Sequence, residues 1–193
     1  MNIVIIDYGA GNIKSLQFAV ERLGYSARLS HNEVEILAAD KVIFPGVGEA
    51  SSAMEKLTAV GLDTVIPKLT QPVLGICLGM QLMCRSSKEN DTKGLGIFDV
   101  DVVKFQSGEK VPQIGWNTIA NLTSPLFEGI RENEYMYGVH SFYVPICSEM
   151  ICTTYYGLAY ASGLQKRNFY GVQFHPEKSS KAGSKLIENF LKL

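Results

Sequence analysis

Cys77 stands in the pentapeptide Gly75-Ile76-Cys77-Leu78-Gly79, where an apolar run gives way to a helical pattern. A small residue two positions either side of a nucleophile permits a strand-to-helix turn too sharp for larger side chains. Such a turn thrusts the sulfur out at the carboxyl end of a sheet, at a helix N-terminus whose free N–H groups favour negative charge. The N–H of Leu78 is then placed to receive an oxyanion. A cysteine flanked by glycines is equally compatible with plain packing, so the pentapeptide needs a base to mean catalysis. Tyr170-Gly171-Val172-Gln173-Phe174-His175-Pro176-Glu177 supplies one. Pro176 disfavours a helical His175, so the segment is expected to stay extended. Residues two apart then project to one side, bringing Glu177 to the imidazole and leaving its other nitrogen for sulfur. The order Cys, His, Glu differs from the nucleophile, acid, His order of the α/β-hydrolases.

The elements that must carry these groups are legible in the apolar pattern. Ile3–Ile6, Ala27–Leu29, Lys41–Phe44 and Pro72–Ile76 read as buried strands, with helical stretches between them. The helix after the first strand has Ile13, Leu16, Val20 and Leu23 on one face and stops near Gly24. Further helical stretches cover residues 32–39 and 49–59, and Leu78 onward resumes a helix. Continuous apolar strands alternating with helices predict a mostly parallel sheet covered on both faces. Residues 96–122 and 135–174 instead carry β-branched and aromatic runs punctuated by Gly, Pro and Asn, expected as added antiparallel strands. A last helix spans about 181–191. With no repeat or linker, residues 1–193 are expected to form one α/β domain.

Composition limits the partners. Lys and Arg total 18 against 19 Asp and Glu, which leaves no basic excess for nucleic acid. No apolar run reaches the ~20 residues of a membrane span, and the opening residues lack a signal-peptide pattern, so a cytoplasmic location is expected. Cys77, Cys84, Cys147 and Cys152 form no CxxC pair, and His31, His140 and His175 lie far apart, which argues against a metal site. Three of the cysteines are expected to be small buried hydrophobes. Gly9-Ala10-Gly11 begins like a dinucleotide fingerprint but has Lys14 where that motif needs Gly or Ala.

Gly75-Ile76-Cys77-Leu78-Gly79-Met80-Gln81 together with His175-Pro176-Glu177 closely resembles the class I, triad-type glutamine amidotransferases. Pro45-Gly46-Val47-Gly48, Gly115-Trp116-Asn117, Lys178-Ser179 and the opening Asp7-Tyr8-Gly9-Ala10-Gly11-Asn12 are similar to one branch, the glutaminase subunits of imidazole glycerol phosphate synthases. The likeness spans nearly the whole chain. Pro112-Gln113-Ile114 departs from the branch pattern, which often has His-Met between the Pro and the Gly. The resemblance implies a flavodoxin-like sheet and a reaction needing no cofactor. Cys77 would attack the side-chain amide of glutamine, His175 would move the proton, and Glu177 would support the imidazolium. It also implies an oxyanion hole at Leu78 and the Gly46-Val47-Gly48 strip, and head-group contacts from Gln81 and the Ser141-Phe142 backbone. The ammonia would go to a cyclase subunit of (β/α)8-barrel type in a heterodimer that makes imidazole glycerol phosphate and AICAR in histidine biosynthesis. Asn12, Trp116 and Lys178 would face that partner. Taken alone, the Gly46–Gly48 pair reads as an ordinary turn, Trp116 as a half-buried aromatic and Lys178 as a solvated charge. A glutaminase serving an amidino-sugar, anthranilate, GMP or pyridoxal phosphate synthase would share the triad. So would a catalytically silent subunit of this fold, and a cysteine peptidase or γ-glutamyl hydrolase would share its nucleophile.

Overall fold

The structure, a computed structural model, describes residues 1–9, 13–106, 108 and 110–193. Its first half alternates strands and helices: β1 (Ile3–Ile6), α1 (Ile13–Arg22), β2 (Ala27–Ser30), α2 (Glu33–Leu37), β3 (Lys41–Gly46), α3 (Ala50–Ala59), α4 (Leu62–Val65), β4 (Val73–Cys77) and α5 (Leu78–Met83). Then come β5 (Cys84–Ser87), β6 (Thr92–Lys93), β7 (Phe98–Lys104), β8 (Gln113–Ala120), β9 (Glu134–His140) and β10 (Phe142–Tyr143). The chain finishes with β11 (Met150–Tyr156), β12 (Leu158–Lys166), β13 (Phe169–Val172) and α6 (Ser180–Lys192).

One sheet runs β2-β1-β3-β4-β13-β12-β11-β8-β9, and a smaller one runs β10-β7-β5-β6. Strands β2, β1, β3, β4 and β13 pair in parallel; β12, β11, β8 and β9 continue antiparallel. The parallel order is that of doubly wound folds, in which ligands bind beyond the carboxyl ends of the strands near the switch between β1 and β3. Both faces are buried, which explains the unbroken apolar strands. Ile3 and Ile5 enter one core cluster, with α1 and α6, while Val4 and Ile6 enter the other, with α3 and α5.

Two expectations need correction. β3 does not stop at Phe44 but carries Pro45 and Gly46 in its ladder with β4. The stretch before His175 is not an added antiparallel strand: β13 lies parallel to β4 inside the main core. The helix expected from Leu78 onward forms and runs to Met83, where the chain turns into β5 of the smaller sheet. Cys84 and Cys152 are buried as expected, and Cys147 only partly so. Among the described residues no helix is long and apolar enough to cross a membrane.

Candidate active site

The turn at Cys77 is strained as its sequence predicts. Cys77 has φ 54° and ψ −112°, a conformation that non-glycine residues seldom adopt. Its flanking glycines are needed for close approach. A Cβ on Gly79 would lie 2.0 Å from the Phe44 carbonyl oxygen, and one on Gly75 would lie 2.9 Å from the Met80 nitrogen. The first turn of α5 therefore rests directly on the end of β3. A Cβ on Gly46 would in turn fall 2.7 Å from the Gly79 nitrogen. Gly46 is the ladder partner of Cys77, which fixes the start of the Gly46-Val47-Gly48 strip beside the sulfur.

His175 follows β13, the strand next to β4, so sheet pairing alone brings it to Cys77. Its backbone is pinned on both sides. The His175 N–H donates to the Tyr137 carbonyl at 2.8 Å, and its carbonyl accepts from Ser179 Oγ at 2.6 Å. The same Ser179 oxygen accepts from the Tyr137 N–H at 2.9 Å. Glu177 reaches the ring by a route other than the extended one expected. Residues Pro176–Lys178 form a single 3-10 turn, closed by Ser179 N–H to the Pro176 carbonyl at 3.0 Å. A fixed proline φ suits the first position of such a turn once the chain has left the ladder. The outcome for the side chains is still the expected pair, His175 Nδ1 to Glu177 Oε1 at 2.9 Å. That bond leaves Nε2 for the Cys77 side, where both residues line one cavity; the sulfur itself approaches the Val139 carbonyl at 3.8 Å.

Burial opposes a charge on His175, yet the neighbouring Cys77 and the hydrogen-bonded Glu177 outweigh it and raise the imidazole to about 10. The Glu177 side chain is 4% exposed, and its Oε2 has no partner among the described residues, so Oε1 to the imidazole is the one bond the carboxyl group makes there.

These groups open onto a cavity of about 310 Å³ whose wall includes Cys77, His175, Val47, Gly48, Leu78, Gln81, Ser141, Phe142 and Lys178. Both amide hydrogens of Gln81 are engaged, with the Phe142 carbonyl at 3.0 Å and Gln173 Oε1 at 2.9 Å. Only its carbonyl oxygen is left to accept from a ligand. The expected backbone contacts at Ser141-Phe142 are narrowed too. The Phe142 carbonyl also accepts from His140 at 2.7 Å, and the Ser141 carbonyl accepts from the Phe105 N–H. Asn12 lies outside the described residues. Trp116 is 50% exposed and packs edge-on against Tyr137, but it borders a neighbouring depression rather than the cavity itself.

Four residues in or beside the site were missed. Gln173 places Nε2 3.7 Å from the Cys77 sulfur and links it to Gln81. It shares strand parity with His175, a signal the sequence did contain. Burial lowers His140 to about 4, so its neutral ring donates from Nδ1 to the Phe142 carbonyl. Ser179 clamps His175, and Glu89 lines the cavity while accepting from the Ala50 N–H at 2.8 Å. Nothing local marks Glu89.

The model of the family described as glutamine amidotransferase class-I matches residues 4–193. The imidazole glycerol phosphate synthase subunit HisH of Bacteroides thetaiotaomicron is 51% identical over 196 residues, covering 100% of both chains. The HisH 1 subunit of Vibrio vulnificus is 47% identical over 199 residues, covering 99% of this chain and 98% of its own. Among solved structures, PurLQS from Thermotoga maritima superposes on 99% of this chain and 97% of its own with a TM-score of 0.74 at 16% identity, a likeness of fold alone.

Proposed function

The chain belongs to the class I glutamine amidotransferase family and acts as the glutaminase subunit of an imidazole glycerol phosphate synthase; from that premise we propose that Cys77, His175 and Glu177 carry the hydrolysis. The observation that supports this most is the meeting of Cys77 and His175 on the wall of one cavity, with Glu177 bonded to Nδ1 of the same ring at 2.9 Å. The thiolate adds to the side-chain amide carbon of glutamine, and the developing oxyanion meets the Leu78 N–H and a donor of the Gly46-Val47-Gly48 strip. Imidazolium at His175 protonates the leaving nitrogen, ammonia departs, and a glutamyl thioester remains. The neutral ring then takes a proton from water as it attacks the thioester, releasing glutamate and restoring the thiolate–imidazolium pair. Glu177 stabilises the imidazolium throughout. Gln81 holds the head group through its free carbonyl oxygen.

The same reading assigns the ammonia to a cyclase subunit of (β/α)8-barrel type in a heterodimer. Free ammonia in water would protonate to non-nucleophilic ammonium, so the cavity mouth has to abut the partner. Lys178, exposed at that mouth, and Trp116 face the cyclase in this arrangement. Residues 1–193 work as a single amidotransferase domain in the cytoplasm, where Cys77 stays reduced.

The test is Cys77→Ala in the complex. Glutamine-dependent product formation should fall by ~10⁴-fold or more, while formation from added ammonium salt at raised pH is retained. Glutaminase activity surviving the substitution would remove the assignment.

A further inference from the structure

Beyond the triad and the strip, one buried hydroxyl has no role in the reaction as described. Tyr8 follows β1 and is 5% exposed, its ring tilted against Phe44 at 5.8 Å. Its Oη donates to the Pro45 carbonyl at 3.1 Å. Burial, reinforced by negative charge at Cys77, pushes the hydroxyl well above its ordinary range, so it stays a donor.

The position of that bond in the sheet gives it meaning. β1 pairs with β3 only from Ile3↔Lys41 to Ile5↔Ile43. β3 nevertheless runs on beside β4 as far as Gly46↔Cys77. The last residues of β3, which deliver the strip to the sulfur, therefore project beyond the strand on their other side. Pro45 has no N–H, so its carbonyl is its one backbone polar group. An unpartnered carbonyl at a buried strand end is costly and leaves the peptide free to rotate. Because a peptide is planar and trans, fixing the Pro45 carbonyl also fixes the direction of the Gly46 N–H. Gly46 is also held by its ladder with Cys77, whereas Val47 and Gly48, the latter at φ 95°, lie beyond that ladder and follow the direction the Pro45-Gly46 peptide gives them.

We propose that Tyr8 is a positioning residue for the oxyanion hole, its hydroxyl standing in for the strand partner that β1 no longer provides. This rests on the proposed use of the Gly46-Val47-Gly48 strip. The hydroxyl contributes where charge develops, so it acts on the transition state more than on bound glutamine.

The experiment is Tyr8→Phe in the complex with the cyclase subunit, with glutamine turnover and ammonium-dependent product formation measured side by side. One buried hydrogen bond corresponds to about a two- to tenfold change in kcat. We expect that loss in kcat with KM within twofold, and unchanged ammonium-dependent activity. A γ-aldehyde analogue of glutamine, which adds the Cys77 sulfur to give an oxyanion-like oxygen, should bind weaker by the same factor. Alkylation of Cys77 by iodoacetamide, which needs no oxyanion hole, should keep its rate and so guards against misfolding as the cause. If Tyr8→Phe fails to fold, Tyr8→Met is used with the same readouts. Unchanged kcat and aldehyde affinity, a rise in kcat, or a change confined to KM would each overturn the proposal. Cys77→Ala is run in parallel: an active Cys77→Ala would unseat the triad, whereas an inactive one beside a wild-type-like Tyr8→Phe would unseat only Tyr8.

Discussion

Gly79→Ala puts a single methyl between the two elements that frame the oxyanion site. Its Cβ would stand 2.0 Å from the Phe44 carbonyl oxygen and 3.2 Å from the Pro45 carbonyl carbon, where real contacts do not fall below 3.0 Å. Neither atom belongs to a flexible side chain, so α5 and the end of β3 must part by about 1 Å. Overpacking of this kind costs about 1–3 kcal/mol, which for a chain of this size lowers Tm by roughly 3–10 °C. The functional cost should be larger than the stability cost. A displacement of about 1 Å separates the Leu78 N–H from the Gly46-Val47-Gly48 strip, and misplacement on that scale costs about 10²-fold. We expect kcat for glutamine hydrolysis to fall by ~10²–10³, the range for losing one oxyanion donor. Gly24→Ala is the control. It forces φ 84° on a side chain with nothing within 4 Å, so it should lower Tm while sparing kcat. Steady-state kinetics and thermal melts of both variants decide the matter. A Gly79→Ala protein with wild-type kcat and Tm would refute the reasoning from close approach to oxyanion geometry.

Glu177→Gln should impair hydrolysis by one to two orders of magnitude less than Cys77→Ala, checked in the same glutaminase assay, with equal activity to wild type excluding Glu177 as orienter. The pH dependence has a definite sign. His175 holds its proton to about 10, so kcat should drop as pH rises through that value and the general acid is lost. The same raised value makes His175 stabilise the fold fully below the ordinary histidine range, a contribution lost as pH rises through about 10, measurable by urea titration. In Glu177→Gln the alkaline limb should move to lower pH, since one of the groups raising the imidazole is gone. Trp116→Ala should weaken the cyclase complex by about tenfold, and Lys178→Ala should lower product formed per glutamine consumed. Unchanged affinity and unchanged coupling in both variants would take these residues out of the interface.

Local chemistry was the legible part of this sequence. The elbow at Cys77 could be read because its requirement, small residues two positions away on both sides, is written into five consecutive residues. The parallel core was equally open, since strands buried on both faces show as unbroken Ile-Val-Leu runs. What stayed hidden depended on pairings between distant segments. That β13 returns beside β4 is a fact of sheet order, and it alone places His175 at the sulfur. Ser179, His140 and Glu89 are tied to Tyr137, Tyr160 and Ala50, residues distant in the chain, and nothing in their neighbours announces such bonds. The His175-Pro176-Glu177 segment shows the opposite case. The expected contact formed, but through a 3-10 turn, because proline is compatible with both an extended chain and the first position of a turn.

The two halves of the proposed machinery rest on different supports. Nucleophile, base and acid are held by β4, β13 and the turn that Ser179 clamps, all of them buried and bonded on several sides. The oxyanion strip projects from β3, with Val47 at 41% exposure and Gly48 at a positive φ. On the proposed reading, a perturbation at the cavity mouth would rotate the strip while leaving Cys77 and His175 in place. With an N–H toward the oxyanion the site is competent; with a carbonyl there, the developing charge is repelled. In the proposed complex a cyclase seated over the mouth would meet the exposed Val47 and Lys178 before the buried triad. Its ligand-bound form can alter turnover only to the extent that it favours one peptide orientation over the other. An enzyme whose ammonia is useful only to its partner gains from this separation, because the reactive cysteine stays assembled while the rate is set by a segment the partner can touch.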